Sequence, residues 1–277
     1  MPPPPLPPRP GQQGPPPIPP RPPAVEPPPA AAPPPSVNVP PVPCPPAFPP
    51  VCRGKLLADG SAPAAGVLGG VRGVKWQASG ILEEGPNLPG QAVAIQRPLT
   101  IHMGPPGTTI DGKGRQRTEI LSWPPAAASE TWIYKWRFHL SGPLPTSSKF
   151  FHLTQLLSRE SGGFVVALGL VNGKIKISSI LPPLLDPMTG APLPLPEMPA
   201  AQYWGRTTYH RVEVKWGPGG FVNYTIQDSV TLETLLQYTL SGVDIPAQGS
   251  IKCGLYRAHV CSAATAVVGD FDFKKRS

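Results

Sequence analysis

More than half of residues 1–50 are proline, 27 of the 46 in this 277-residue chain. Proline lacks a backbone N–H and fixes φ, so such a stretch cannot build helix or sheet ladders. Its expected state is a disordered, extended polyproline II tail. The folded part is thereby confined to residues 51–277, a length usual for one all-β sandwich or barrel. Pro4-x-x-Pro7-x-Arg9 and Pro16-x-x-Pro19-x-Arg21 fit the pattern that docks in SH3-type grooves, and a plain spacer fits the same composition.

From Leu56 onward the texture changes. Short segments rich in Val, Ile, Thr and aromatics recur between Gly, Pro and Asn turns. The clearest are Ala92–Ile95, Arg117–Leu121, Thr131–Leu140, Lys149–Leu157, Val165–Leu170, Lys174–Ile177, Arg211–Trp216, Val222–Gln227, Leu235–Leu240, Ile251–Val260 and Ala266–Phe273. Asn172-Gly173 signals a hairpin turn. One helical candidate, Ser229–Tyr238, sits between strand-like runs. The expected fold is all-β, an antiparallel β-sandwich of the jelly-roll type, with the Pro-rich piece Leu181–Ala200 as a long surface loop.

The formal net charge is +8, from 24 Lys+Arg and 16 Asp+Glu. The tail holds two of the bases (Arg9, Arg21) and one acid (Glu26), so the remainder keeps +7. A basic domain favours polyanions. No Lys/Arg cluster is interleaved with aromatics, which argues against nucleic acid. No apolar run reaches the ~18 residues of a transmembrane helix, and the start lacks signal-peptide segments. The four cysteines (Cys44, Cys52, Cys253, Cys261) form no C-x-x-C pair, which argues against structural zinc. Two local disulfides or free thiols both fit their spacing. No cofactor motif is evident, and structural calcium has no readable signature. A monomer is expected.

Strand period two sorts the polar residues by face. Arg115, Arg117 and Glu119 share one face, either a solvated surface or the floor of a polar groove. Lys149-Phe150-Phe151-His152-Leu153-Thr154-Gln155 places His152 and Gln155 on opposite faces unless a bulge intervenes. Lys252, Gly254 and Tyr256 fall on one face; Cys253, Leu255 and Arg257 fall on the other. A glycine between Lys252 and Tyr256 leaves room for a ligand. Trp123, Trp132, Trp136, Tyr203 and Trp204 suit sugar stacking or an ordinary core.

Arg117-Thr118-Glu119-Ile120, Phe151-His152-Leu153-Thr154-Gln155 and Lys252-x-Gly254-x-Tyr256-Arg257, in this order, resemble the β-jelly-roll polysaccharide lyases of alginate, glucuronan and heparin lyase-like type, with similar fungal proteins. Trp204-Gly205-Arg206 and His210–Val214 add to the likeness, which spans roughly residues 75–275. The resemblance implies a concanavalin A-like sandwich that cleaves an anionic, uronate-containing polysaccharide by β-elimination, outside the cell. It implies Arg117 and Gln155 as carboxylate neutralisers, His152 as base and Tyr256 as acid or joint acid/base. Arg115, Glu119, Lys149, Lys252 and Arg257 would bind substrate, with Lys252 also placed to lower the Tyr256 pKa. In the alginate lyases Gln and His are two residues apart; here His152 precedes Gln155 by three. A lectin-like module on the same fold, or a scaffold acting through its tail, are the competing functions. Gly-x-Ser-x-Gly, His-Glu-x-x-His and Walker motifs are missing.

Overall fold

The computed structural model describes residues 54–86, 88, 90–104, 114–258 and 262–276. The tail, its SH3-type motifs, Cys44, Cys52 and Cys261 lie outside the described residues. The strands are, in chain order, β1 (Leu56–Asp59), β2 (Ala64–Val67), β3 (Val74–Ala78), β4 (Ile81–Glu84), β5 (Pro98–Met103), β6 (Arg115–Ser122), β7 (Thr131–Leu140) and β8 (Phe151–Ser158). There follow β9 (Phe164–Val171), β10 (Lys174–Ser179), β11 (Glu197–Pro199), β12 (Thr207–Lys215), β13 (Gly220–Asp228), β14 (Thr234–Val243), β15 (Gly249–Ala258) and β16 (Ala264–Lys275). One eight-stranded sheet runs β1-β4-β5-β16-β7-β12-β13-β14, the other β11-β10-β9-β8-β15-β6-β3-β2. All strand pairings described are antiparallel.

Alternation explains the packing. In β13, Val222, Tyr224 and Ile226 are buried while Phe221, Asn223 and Thr225 are only partly so. Their side of the sheet joins Trp136, Phe138, Val212 and Val214 in one core with Ile120, Leu153, Leu168, Ile251 and Leu255 of the second sheet. Burial of this many apolar side chains is the main stabilising contribution, at about 1.5–3 kcal/mol for each large one. Asn172 and Gly173 both take positive φ, 50° and 74°, and close the β9–β10 hairpin as a two-residue turn.

Three expectations need correction or completion. Ala92–Ile95 is not a strand. It belongs to a segment whose backbone N–H groups are taken by side chains, Ala94 by Thr207 Oγ1 and Gln96 and Arg97 by Asp270 Oδ1, rather than by a neighbouring ladder. The helical candidate Ser229–Tyr238 is a turn followed by β14, because Leu236, Tyr238 and Leu240 alternate into the core. Strands β1 to β5 were not expected at all; they are four to six residues long, too short for a clear period. Cys253 is a free, buried thiol, with Sγ 3.8 Å from the Ile120 carbonyl oxygen.

Candidate functional site

On the outer face of the second sheet, β6, β15 and β8 lie side by side. Tyr256 pairs with Arg117 and His152, Gly254 with Glu119, and Lys252 with Leu121 and Gln155. Strict alternation would still separate His152 from Gln155. Two irregularities remove the conflict. His152 and Thr154 pair with the adjacent residues Gly169 and Leu168, so β8 carries an extra residue at Leu153. The β15–β8 register also shifts, between Cys253 and Tyr256. A bulge of this kind re-aims side chains along a strand. As a result, Gln155 Nε2 donates to Glu119 Oε1 at 2.6 Å, and the His152 ring lies 5.9 Å from the Tyr256 ring.

Gly254 has a different reason from the one expected. Its φ is +142°, and a Cβ there would lie 2.4 Å from the Thr118 carbonyl oxygen. The glycine is required by the backbone of β6, not by space for a ligand.

Glu119 is the hub. It is 1% exposed, and its Oε2 lies 3.1 Å from Arg117 Nε and 3.7 Å from Lys252 Nζ. Gln77 Nε2 from β3 donates to the same oxygen at 3.2 Å. A carboxylate at this depth is tolerable only when paired and hydrogen-bonded, and four neighbours supply that. Burial lowers the Lys252 pKa, helped by repulsion from Arg117 and Arg159 and opposed by Glu119.

Tyr256 is held on two sides. Arg115 Nη1 donates to its hydroxyl at 2.9 Å, and the Arg117 guanidinium sits 4.2 Å from the ring centroid. His152 lies between Phe150 and Phe164, with centroids at 5.2 and 5.3 Å. Burial pushes its pKa below the usual histidine value, against the opposing pull of Gln155 and Glu119. Its Nδ1 is shut off from solvent without a hydrogen-bond partner among the described residues.

Two expected placements fail, those of Arg257 and of Lys252 on the phenol. Arg257 follows Tyr256 and so points to the opposite face, where its Nε donates to Gln116 Oε1 at 3.0 Å and its Nη2 to the Ser262 carbonyl at 2.6 Å. It is 1% exposed and ties β15 to the segment beyond it, so it cannot meet a substrate on the outer face. Lys149 precedes β8 and is exposed there, which is compatible with its expected contact. Lys252 reaches Glu119 and stands four residues along β15 from Tyr256, so Arg115, not Lys252, is the cation on the phenol. No group of three or more His, Cys, Asp or Glu side chains suited to a metal ion occurs among the described residues.

No family model matches the sequence, and no curated protein matches it. Among solved structures, the endo-β-1,4-glucuronan lyase of the fungus Trichoderma reesei superposes with a TM-score of 0.50 at 12% identity, covering 77% of this chain and 94% of that one. The fold is that of the jelly-roll polysaccharide lyases. The marine PL-14 alginate lyase from Aplysia kurodai matches at TM-score 0.44 and 11% identity, over 70% of this chain and 87% of that one. The cellulose-induced protein Cip1 matches at 0.43 and 14%, over 78% and 93%.

Sequence alone did not single out Gln77, Phe150 or Phe164 around Glu119 and His152. Gln77 had a readable signal, since Val74, Trp76 and Ala78 point inward and leave Lys75 and Gln77 on the outer face. What was hidden was the pairing of β3 with β6, which brings Gln77 opposite Glu119.

Proposed function

We propose that the protein is a polysaccharide lyase that cleaves a uronate-containing polysaccharide by β-elimination. The observation that carries this reading is the His152–Tyr256 pair. Two proton-transfer groups face one another across adjacent strands, 5.9 Å between ring centroids, with the Arg117 guanidinium against the tyrosine. Arg117 and the Gln155 amide neutralise the uronate carboxylate, so that charge can build on it when the C5 proton leaves. His152, kept neutral by burial, takes that proton. The C4–O bond then breaks as the C4–C5 double bond forms, and Tyr256 protonates the departing 4-oxygen while Arg115 holds its hydroxyl. Glu119 touches no substrate in this scheme; it positions Arg117, Lys252 and Gln155. A polymeric anionic substrate of this class is met outside the cell.

The test is ultraviolet absorbance during incubation with glucuronan, alginate and heparin. Elimination leaves an unsaturated uronate that absorbs. New reducing ends without absorbance would replace the lyase reading with hydrolysis. Binding with neither signal would make the domain lectin-like.

A further inference from the structure

The strands of the candidate site all belong to the second sheet, and the outer face of the first sheet carries a motif that elimination does not use. Asn223-Tyr224-Thr225 in β13 is the one Asn-x-Ser/Thr triplet of the chain, the acceptor pattern for N-linked glycosylation. Such a triplet can carry a glycan in the folded protein only where the asparagine amide is free and meets solvent. Here the strand supplies both conditions. Tyr224 turns into the core beside Val222 and Ile226, so Asn223 and Thr225 stand together on the outer face. Asn223 pairs with Glu213 on one side and Thr239 on the other. The Glu213 carboxylate is taken by Arg211 at 2.6 Å and by Arg276 at 2.5 Å, and Thr239 is exposed. The Asn223 amide makes no hydrogen bond among the described residues and is not closed off from solvent. Phe221 stands two residues earlier on the same face, about 7 Å along the strand. It is half-buried, lies outside the apolar core, and has Lys215 and Ser241 as strand partners. A ring that packs no core beside a free amide is a platform for the apolar face of a pyranose.

We infer that Asn223 is an N-glycosylation site, filled on the secretory route, and that Phe221 supports the first sugar of its glycan. The donor is a lipid diphosphate-linked oligosaccharide. Asn223 Nδ2 bonds to C1 of the donor's first sugar, and the bond from C1 to the diphosphate oxygen breaks. The lipid diphosphate leaves with that electron pair, and the amide gives up one proton. The inference goes beyond the lyase reading and shares with it only a location outside the cell. A glycan rooted at Asn223 grows from the sheet that does not carry Tyr256, so it leaves the candidate site open.

The experiment is translation of the full chain behind a cleavable secretory leader, first with endoplasmic-reticulum microsomes and then in a secreting eukaryotic host. The wild-type chain should gain one glycan that peptide-N-glycosidase removes. Asn223→Gln and Thr225→Ala should each abolish it. A translocated wild-type chain, its leader cleaved and its Asn223 bare, would overturn the site. Asn223→Gln in the secreted protein should lower the melting midpoint by about 2–4 °C, the shift expected when one stacked ring contact is lost. With Phe221→Ala already present the same change should shift it much less. Equal shifts in the two backgrounds would overturn the part given to Phe221. Elimination is read on the same samples by ultraviolet absorbance. A glycosylated chain that forms no unsaturated product would overturn the lyase reading and leave the site standing. Unsaturated product from a secreted chain with bare Asn223 would do the opposite.

Discussion

Two histidine–tyrosine clusters occupy this sandwich, and they differ in how completely they are satisfied. His210 lies between the sheets, its Nδ1 2.9 Å from the Tyr224 hydroxyl and its Nε2 3.0 and 2.9 Å from Tyr203 Oη and Thr208 Oγ1. It stacks on Trp136 at 4.7 Å, and burial lowers its pKa to about 3. Every polar atom of that ring has a partner inside the protein. His152 on the outer face has a ring nitrogen with none among the described residues, beside Arg117 and Lys252, which share the Glu119 carboxylate. His210 is buried and His152 half-buried, and both have lowered pKa values, so a lowered pKa does not separate scaffold from site. Saturation does. A closed network rigidifies a core, whereas an unmatched ring nitrogen is what a bound ligand would complete.

The largest effect should come from Glu119, the one residue that makes the outer cluster resemble the inner one. Glu119→Gln leaves Arg117 and Lys252 facing each other without their shared anion. Breaking such a buried pair costs about 3 kcal/mol or more. The denaturation midpoint should drop sharply, and turnover should collapse because Arg117 and Gln155 lose their anchor. A Gln variant as stable and active as the parent would show that the outer cluster does not depend on its hub.

Next in size is a matched pair of hydroxyl deletions. Tyr256→Phe should reduce kcat about 100-fold or more, which is about 2.7 kcal/mol in barrier height, with little change in stability. Tyr224→Phe should do the reverse, costing about 1–3 kcal/mol of stability by stranding His210 Nδ1 while kcat holds. Thermal melts and initial rates on the two variants read this directly. If Tyr256→Phe melts early and keeps its specific activity, the outer cluster is scaffold too.

Alternation was legible within each strand, so Arg115, Arg117 and Glu119 of β6 were grouped together, as were Lys252 and Tyr256 of β15; that the two groups share a face comes from the pairing of β6 with β15. The meeting of His152 and Gln155 was not legible, since the extra residue at Leu153 exists only by virtue of pairing with β9 and β15. A bulge of that type leaves no mark in local composition. Arg257 shows the opposite failure. Its parity with Cys253 and Leu255 already placed it inward, and only family resemblance recruited it to the substrate side. For Gly254 the sequence marked the right residue, but the backbone of a strand more than a hundred residues away decided why it is glycine.

Acid should also separate the two histidines. The folded pKa of His210, about 3, lies below its ordinary 6.5, so between those values the unfolded chain holds a proton that the folded chain refuses. The stability that His210 contributes is thus fully present above pH 6.5 and falls by about 1.4 kcal/mol per pH unit on acidification. His210→Gln should flatten that slope in denaturant titrations run at successive pH values. His152 should show in rate instead. Its base form persists below pH 6.5, so the acid limb of kcat/KM should have its midpoint under that value. A midpoint above 6.5 would assign the limb to another group.

The smallest effect should come from removing residues 1–50. Every side chain of both clusters lies beyond residue 76, and the removed stretch carries only Arg9, Arg21 and Glu26 as charges and few large apolar residues to bury. Ordering such a segment costs backbone entropy with little apolar area in return. The truncated chain should melt within a degree or two of the parent, the shift of a loss under about 1 kcal/mol. Its acid stability slope and its kcat/KM profile should superimpose on the parent's, because His210 and His152 keep all their neighbours. A drop of many degrees would show that the proline-rich stretch packs against the sandwich. A changed kcat/KM with an unchanged melt would place it over the Tyr256 face, where it would count among the partners of the unsaturated cluster.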